Sequence, residues 1–412
     1  QLNYKYDEVG NRTEVERILN PEGGVAVQVQ ENYTYDPTHQ VTGVETVETG
    51  ASSTVQFTYD ALGNRITVDE NGTTTHYTAN ELNQYTQVGD FSPSYDANGN
   101  LVGMGDWLYQ YDALNRLVSA SNGTMTAHFW YDARNRVVAR SYQSADEEQP
   151  TITLNTYDDW NLIEERDETG AQKARYVHGP RIDEIVVMQN EHGTFYPQHD
   201  ALGSVTMLTD KDGRLVERYS YSITGEVKIY DANGAELSGS AVGNRWMYTG
   251  REWLSELGLY DYRSRVYSAG LGRFLQTDPV KFYAGDLNLY RYVDNNFTNL
   301  IDPDGQRPKL RNPEWLGYWA EKPKGYQLGR CGTRISPVDI IPNFIEDWFL
   351  AAHSFAAKHD GFVDYMKKFK SIPDIAYNIP SMVPTFVVAV FHEAVNTVYT
   401  IVSWVWSRIT GE

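Results

Sequence analysis

The sequence predicts a mainly β protein made of repeated hairpins, followed by a small helical segment. Three observations carry that prediction. A Tyr-Asp pair recurs along the first part of the chain, and a glycine or asparagine follows each clear copy within a few residues. The 412 residues include 30 tyrosines and 33 glycines, the composition of an aromatic-rich β protein with many turns. No long stretch before residue 310 has apolar residues at helical spacing, whereas the end of the chain does.

The repeat is clearest at Tyr59-Asp60-Ala61-Leu62-Gly63-Asn64-Arg65. Its other copies begin at Tyr6-Asp7, Tyr95-Asp96, Tyr111-Asp112 and Tyr131-Asp132, with weaker ones at Tyr35-Asp36 and Tyr157-Asp158. The run Phe57-Thr58-Tyr59 suits a strand with alternating faces. Asp-x-x-Gly-Asn is a turn, because Gly and Asn accept positive φ and the Asp side chain can bond backbone two residues on. Arg65-Ile66-Thr67-Val68 then returns as the next strand. One such hairpin cannot bury its own face, so neighbours must stack. The aspartates read as turn formers, since their spacing does not supply an EF-hand ligand set. The tyrosines read as packing groups rather than platforms for sugars or bases. His199-Asp200 reads as a turn anchor rather than a catalytic pair.

The net charge of −20 is unevenly spread. Residues 307–412 carry 12 Lys/Arg and 10 Asp/Glu, while the remainder carries 23 and 45. An acidic body argues against nucleic-acid binding, which needs Lys/Arg to replace counterions on phosphate. The single cysteine, Cys331, excludes an internal disulfide. The chain shows no signal peptide and opens inside a repeat, so Gln1 reads as an internal start preceded by further repeats or a delivery region. The expected domains are a repeat body at 1–240, a distinct core at 241–306 and a helical domain at 307–412.

The core is the most specific stretch. It contains Tyr248-Thr249-Gly250-Arg251-Glu252, Gly258-Leu259-Tyr260-Asp261-Tyr262-Arg263-Ser264-Arg265, Gly272-Arg273-Phe274-Leu275-Gln276-Thr277-Asp278-Pro279 and Asp302-Pro303-Asp304-Gly305. This resembles the RHS repeat-associated core of bacterial RHS/YD-repeat proteins, Tc toxin C subunits and, more distantly, teneurins. The resemblance implies a β spiral wound into a shell, a core that plugs one end and a C-terminal segment held inside. It also implies self-cleavage after an Asp-Pro-x-Gly-Leu sequence by two aspartates of the core. Paired carboxylates suit that chemistry, one acting as base on water and the other as acid on the leaving amine. The family pattern places one aspartate at Asp278 and a basic neighbour at Arg273. The upstream aspartate is missing from Glu252–Leu257, leaving Glu256 or Glu252 as a longer substitute. Gln306 stands where the family has leucine. Both departures predict weak or absent cleavage near Gln306.

In the tail, Phe344–Lys370 has helical spacing, and Thr385–Trp406 is nearly free of polar side chains apart from His392, Glu393 and Asn396. That second segment reads either as one or two buried helices of a globular toxin that the shell shields from water, or as a stretch long enough to cross a hydrocarbon layer, with Trp404, Trp406 and Arg408 at one end. His359-Asp360 resembles the helix-borne pair of phospholipase A2-like domains, in which His activates water and Asp holds calcium. Calcium at Asp360 is therefore the one cofactor expected. Cys331 with His353 or His359 would instead make a thiol nucleophile pair. The functional expectation is a secreted or cell-surface bacterial toxin-type protein. Its β shell carries an effector that acts on membrane lipid, by insertion or hydrolysis, and an immunity protein is the expected partner. The rival is a surface interaction protein whose tail is a hydrophobic anchor.

Overall fold

The computed structural model describes residues 1–19, 24–48, 50–306 and 308–310. All of them belong to one unit, Gln1–Leu328. The expected helical domain at 307–412 lies outside the described residues except for the short strand Lys309–Leu310. Among the described residues, helix is confined to three 3-10 turns, Tyr248–Gly250, Lys281–Ala284 and Val293–Asn295.

The body is a run of antiparallel strands in two sheets, and within each sheet every strand is hydrogen-bonded to the next in sequence order. Eight strands, from Leu2–Tyr6 to Tyr85–Val88, make one sheet, and fifteen, from Ser94–Tyr95 to Glu236–Leu237, make the second. Alternation along each strand buries one face, as in Val27–Tyr35, where Val27, Val29 and Tyr33 are buried.

The Tyr-Asp repeat forms the expected turn, and every part of it has a role. Asp60 Oδ1 accepts the backbone N–H of Leu62 at 2.9 Å and of Asn64 at 2.8 Å, while Oδ2 takes the Asn64 side chain at 2.8 Å. Asp132 does the same with Arg134, Arg136 and the Arg136 side chain. Where the glycine is missing, Asn115 and Asn135 take the left-handed conformation, at φ 61° and 63°. The tyrosine sits at a recurring bulge and reaches back one repeat. Tyr59, Tyr111, Tyr131 and Tyr157 donate their hydroxyls to the carbonyls of Val41, Leu101, Leu117 and Val137, at 2.8–2.9 Å. The tyrosines therefore pack and pin neighbouring repeats.

The repeat also continues where the Tyr-Asp signature lapses. Asn80, Asp167, Asp200 and Asp210 open turns with the same bonds to the second and fourth residues ahead, as does Asp231 in the further copy Tyr230-Asp231. His199-Asp200 is accordingly a strand end and its turn.

Residues 244–301 pack against these turns. Four short strands, Glu252–Leu254, Leu259–Asp261, Val266–Ser268 and Arg273–Phe274, form a small sheet. Tyr260, Tyr262, Tyr267, Phe274 and Tyr292 are all at most 1% exposed and meet as one aromatic cluster, with Tyr267 and Tyr292 centroids 4.5 Å apart. Polar side chains then tie this core to successive repeats. Arg273 donates to Asn83 O and Asn64 Oδ1, Asn295 to Gly63 O, and the Tyr290 hydroxyl to Gly99 O. The Tyr267 hydroxyl reaches Thr224 O, at the other end of the body sequence. Buried carbonyls at the turn tips are satisfied in this way by the core.

Candidate functional site

The core ends in a turn that carries one peptide bond into a buried charge cluster. Asp302-Pro303 opens the turn, and Asp302 Oδ1 accepts the Gln306 backbone N–H at 3.0 Å. The segment Tyr262–Arg265 grips the turn along its length. Arg263 Nη1 donates to Pro303 O at 2.8 Å, Ser264 N to Asp304 O at 3.3 Å, and Arg265 Nε to Gly305 O at 2.7 Å. The Gln306 side chain donates to Ser264 Oγ at 3.0 Å. Gly305 lies at φ +66°, and a Cβ there would sit 2.6 Å from Tyr262 O and 3.1 Å from Arg265 N, so the position requires glycine.

Arg265 is the centre of the cluster. Its Nη2 lies 3.0 Å from Asp278 Oδ2 and 3.2 Å from Asp302 Oδ2, Nη1 donates to Leu289 O, and the guanidinium stacks 3.6 Å above the Phe274 ring. Arg265, Asp278 and Asp302 are 3%, 5% and 1% exposed. Asp278 is fixed from behind, its Oδ1 accepting the Val280 N–H at 2.8 Å. Burial pushes the Asp302 carboxyl up to about 6, against the opposing pull of Arg265 and the Gln306 N–H. Burial likewise lowers the Arg265 pKa, with Asp278 and Asp302 opposing. The Gly305–Gln306 bond thus has a cationic donor on its carbonyl oxygen, a carboxyl on its N–H and a second carboxylate on the same arginine.

Of the residues singled out in the sequence, Asp278 belongs to this cluster. Arg273 points elsewhere, 3.5 Å above the Tyr85 ring and bonded to Asn64 and Asn83. Glu256 is bonded to Arg245 at 3.1 Å, and Glu252 lies between Arg140 at 3.0 Å and Arg245 at 3.1 Å. Neither glutamate is the second carboxylate of the cluster; Asp302 is. Sequence reasoning missed Arg265 and the carboxylate of Asp302, although the signal was present. Asp302 sits inside the Asp-Pro-x-Gly motif, where it reads as a turn former; it forms that turn and also pairs with Arg265. Cys331, His359 and Asp360, and with them the calcium expectation, lie outside the described residues. Among the described residues no three His, Cys, Asp or Glu side chains converge as a metal site, and no helix is long and apolar enough to cross a membrane.

The teneurin YD-shell family matches residues 1–298. The chain belongs to that family. Its relatives include the tRNA nuclease WapA of Bacillus subtilis, 30% identical over 271 residues, covering 63% of this chain and 11% of WapA. Toxin subunit YenC1 of Yersinia entomophaga is 30% identical over 208 residues, 48% of this chain and 19% of that protein. Double-stranded DNA deaminase toxin A of Burkholderia cenocepacia is 22% identical over 334 residues, covering 74% and 22%. The Photorhabdus luminescens Tc holotoxin pore superposes with a TM-score of 0.61 at 20% identity, over 76% of this chain and 17% of that one. The TcdB2–TccC3 complex gives 0.59 at 21% identity, over 74% and 17%. This YD-shell chain therefore has the fold of Tc toxin shell proteins and spans roughly a tenth to a fifth of these relatives' length.

Proposed function

We propose that this YD-shell chain is the carrier end of a toxin-type protein and cuts itself between Gly305 and Gln306, one bond before the position that the family resemblance implies, separating the core from the C-terminal effector. The observation that carries the reading is the hold of Arg265 on Gly305 O and of Asp302 on the Gln306 N–H, with Asp278 on the same arginine. Asp278 takes a proton from a water attacking the Gly305 carbonyl carbon. Arg265 Nε–H stabilises the oxyanion that forms at Gly305 O. Asp302, in its protonated form, gives its proton to the Gln306 nitrogen as the C–N bond breaks. The products are a Gly305 carboxylate and a Gln306 amine. The second carboxylate therefore comes from the cut-site turn itself.

Residues 307–412 are the effector in this reading, acting on membrane lipid through the apolar stretch Thr385–Trp406 and the His359-Asp360 pair. Two features of the relatives support a variable cargo. WapA and the deaminase toxin are named for quite different activities, and one TcdB2–TccC3 structure is described as lacking a hypervariable C-terminal region. A secreted or cell-surface location and an immunity protein follow from the same reading.

The test is incubation of the purified chain near pH 5.5, with mass spectrometry and a liposome leakage assay before and after protease opening of the body. A new N-terminus at Gln306, lost in Asp278→Asn, is the expected result, together with leakage only after opening. Full-length protein alone after prolonged incubation sinks the cleavage. Cleavage without leakage sinks the membrane effector, and a tail clipped at once with no leakage points to a surface anchor.

A further inference from the structure

We propose that Asp183, on a loop of the repeat body, positions the 302–306 turn through Arg263. The inference rests on the cleavage reading above for its consequence, but its geometry stands apart from it. Asp183 lies between the strands Gln172–His178 and Ile185–Asn190, 5% exposed and at φ 55°. It receives two arginines of the core, Arg251 Nη1 on Oδ2 at 2.9 Å and Arg263 Nη2 on Oδ1 at 2.5 Å. The other terminal nitrogen of Arg263 holds Pro303 O at 2.8 Å. One guanidinium therefore spans from a body carboxylate to the turn that contains the reacting bond.

The backbone around Arg263 leaves it little alternative. Arg263 has φ 66°, and its N–H is tied to Asp261 Oδ1 at 2.6 Å. Arg265, which holds Gly305 O, is two residues further along the same tight turn, so a displaced Arg263 shifts the reacting carbonyl and its donor together. Without the Asp183 charge, the two buried guanidiniums would lose the carboxylate to which both donate and keep only the pull of Asp261. Arg263 would then turn outward and release Pro303. A misplacement on the order of 1 Å costs about 100-fold in rate. Asp183 touches no reacting atom, so it is a positioning residue. The clamp also joins body to core at the site, so the turn is in place only when the core is seated on loop 179–184.

The test uses the full chain with Asp183→Asn, and Arg263→Lys as the second variant in case the first fails to fold. Two readouts are taken. Cleavage rates are measured across pH, and amide hydrogen exchange at 302–306 is compared in an uncut Asp278→Asn background. The expected result is cleavage slowed about 10- to 100-fold with an unchanged pH midpoint. Exchange at Gly305 and Gln306 should be at least about tenfold faster, while Val266–Ser268 is unaffected. If the parent chain cleaves and Asp183→Asn cleaves equally fast with unchanged exchange, the clamp is wrong and the cleavage reading survives. If the parent never cleaves but the variant loosens 302–306, the clamp stands and the cleavage reading falls. Loss of protection spread evenly over the core would mean that Asp183 is merely structural.

Discussion

At the scale of single residues, Asp302 sets the pH response of the core. Its carboxyl is pushed up to about 6 by burial, and the proposed acid is the protonated form. Cleavage should therefore accelerate as pH falls from 8 through that value, and a rate that is flat between about pH 5 and 8 would contradict the assignment. Gly305→Ala is the second residue-scale prediction. The methyl would meet Tyr262 O at 2.6 Å in a backbone conformation that L residues avoid, a cost of about 1–2 kcal/mol before the clash is counted. Cleavage should fall at least about 100-fold while thermal unfolding of the body is little changed. Wild-type cleavage by this variant would mean the turn is not held as described. Gln306, by contrast, is accommodated, because Ser264 Oγ accepts its side-chain amide.

At the scale of the hairpin, the turn aspartates and the tyrosines do different work. Burial alone would raise the Asp112 and Asp132 carboxyls, but bonds from Arg116 and Arg136 outweigh it, leaving both below the usual range. A carboxyl depressed in the folded state stabilises above its unfolded pKa, and that contribution is lost as pH falls through the folded one. The body should therefore lose stability below about pH 4, measured as a falling melting temperature, and Asp132→Asn should blunt that acid loss. Tyr131→Phe removes only the hydroxyl that donates to Leu117 O at 2.8 Å. It should cost about 0.5–1.5 kcal/mol in chemical denaturation, and no cost would mean that the tyrosine acts through its ring alone.

At the scale of the molecule, the chain beyond the proposed cut is paired to the core. Lys309–Leu310 lies antiparallel to Leu300–Ile301, with Leu300 opposite Leu310. Cutting at Gly305–Gln306 opens the connection between these strands without removing their backbone bonds. The two fragments should co-elute on native gel filtration and separate in denaturant. Free release of the C-terminal fragment under native conditions would show that this pairing does not hold it.

The local chemistry of the repeat was legible without coordinates. Asp60-x-x-Gly63 specifies its own turn because donor, acceptor and positive-φ residue all lie within five positions. The antiparallel order follows, since short turns leave no other partner for each strand. Copies such as Asn80 and Asp167 were harder to see, because the turn needs only an Asx side chain and not the tyrosine before it. The site was legible in part. Asp278 could be placed from its motif, but Arg273 and Arg265 are both arginines on short strands or turns of the core, and nothing local says which one faces Asp278. That choice depends on Asn64 and Asn83, whose turns come some 200 residues earlier and capture Arg273. Arg140 and Arg245 likewise hold Glu252 and Glu256 away from the cluster. The sequence by itself determined the hairpins, their order and the family, because those rest on contacts between near neighbours. Only the tertiary structure decided which carboxylates share Arg265, because a buried arginine is allotted among acids that the chain brings together from far apart.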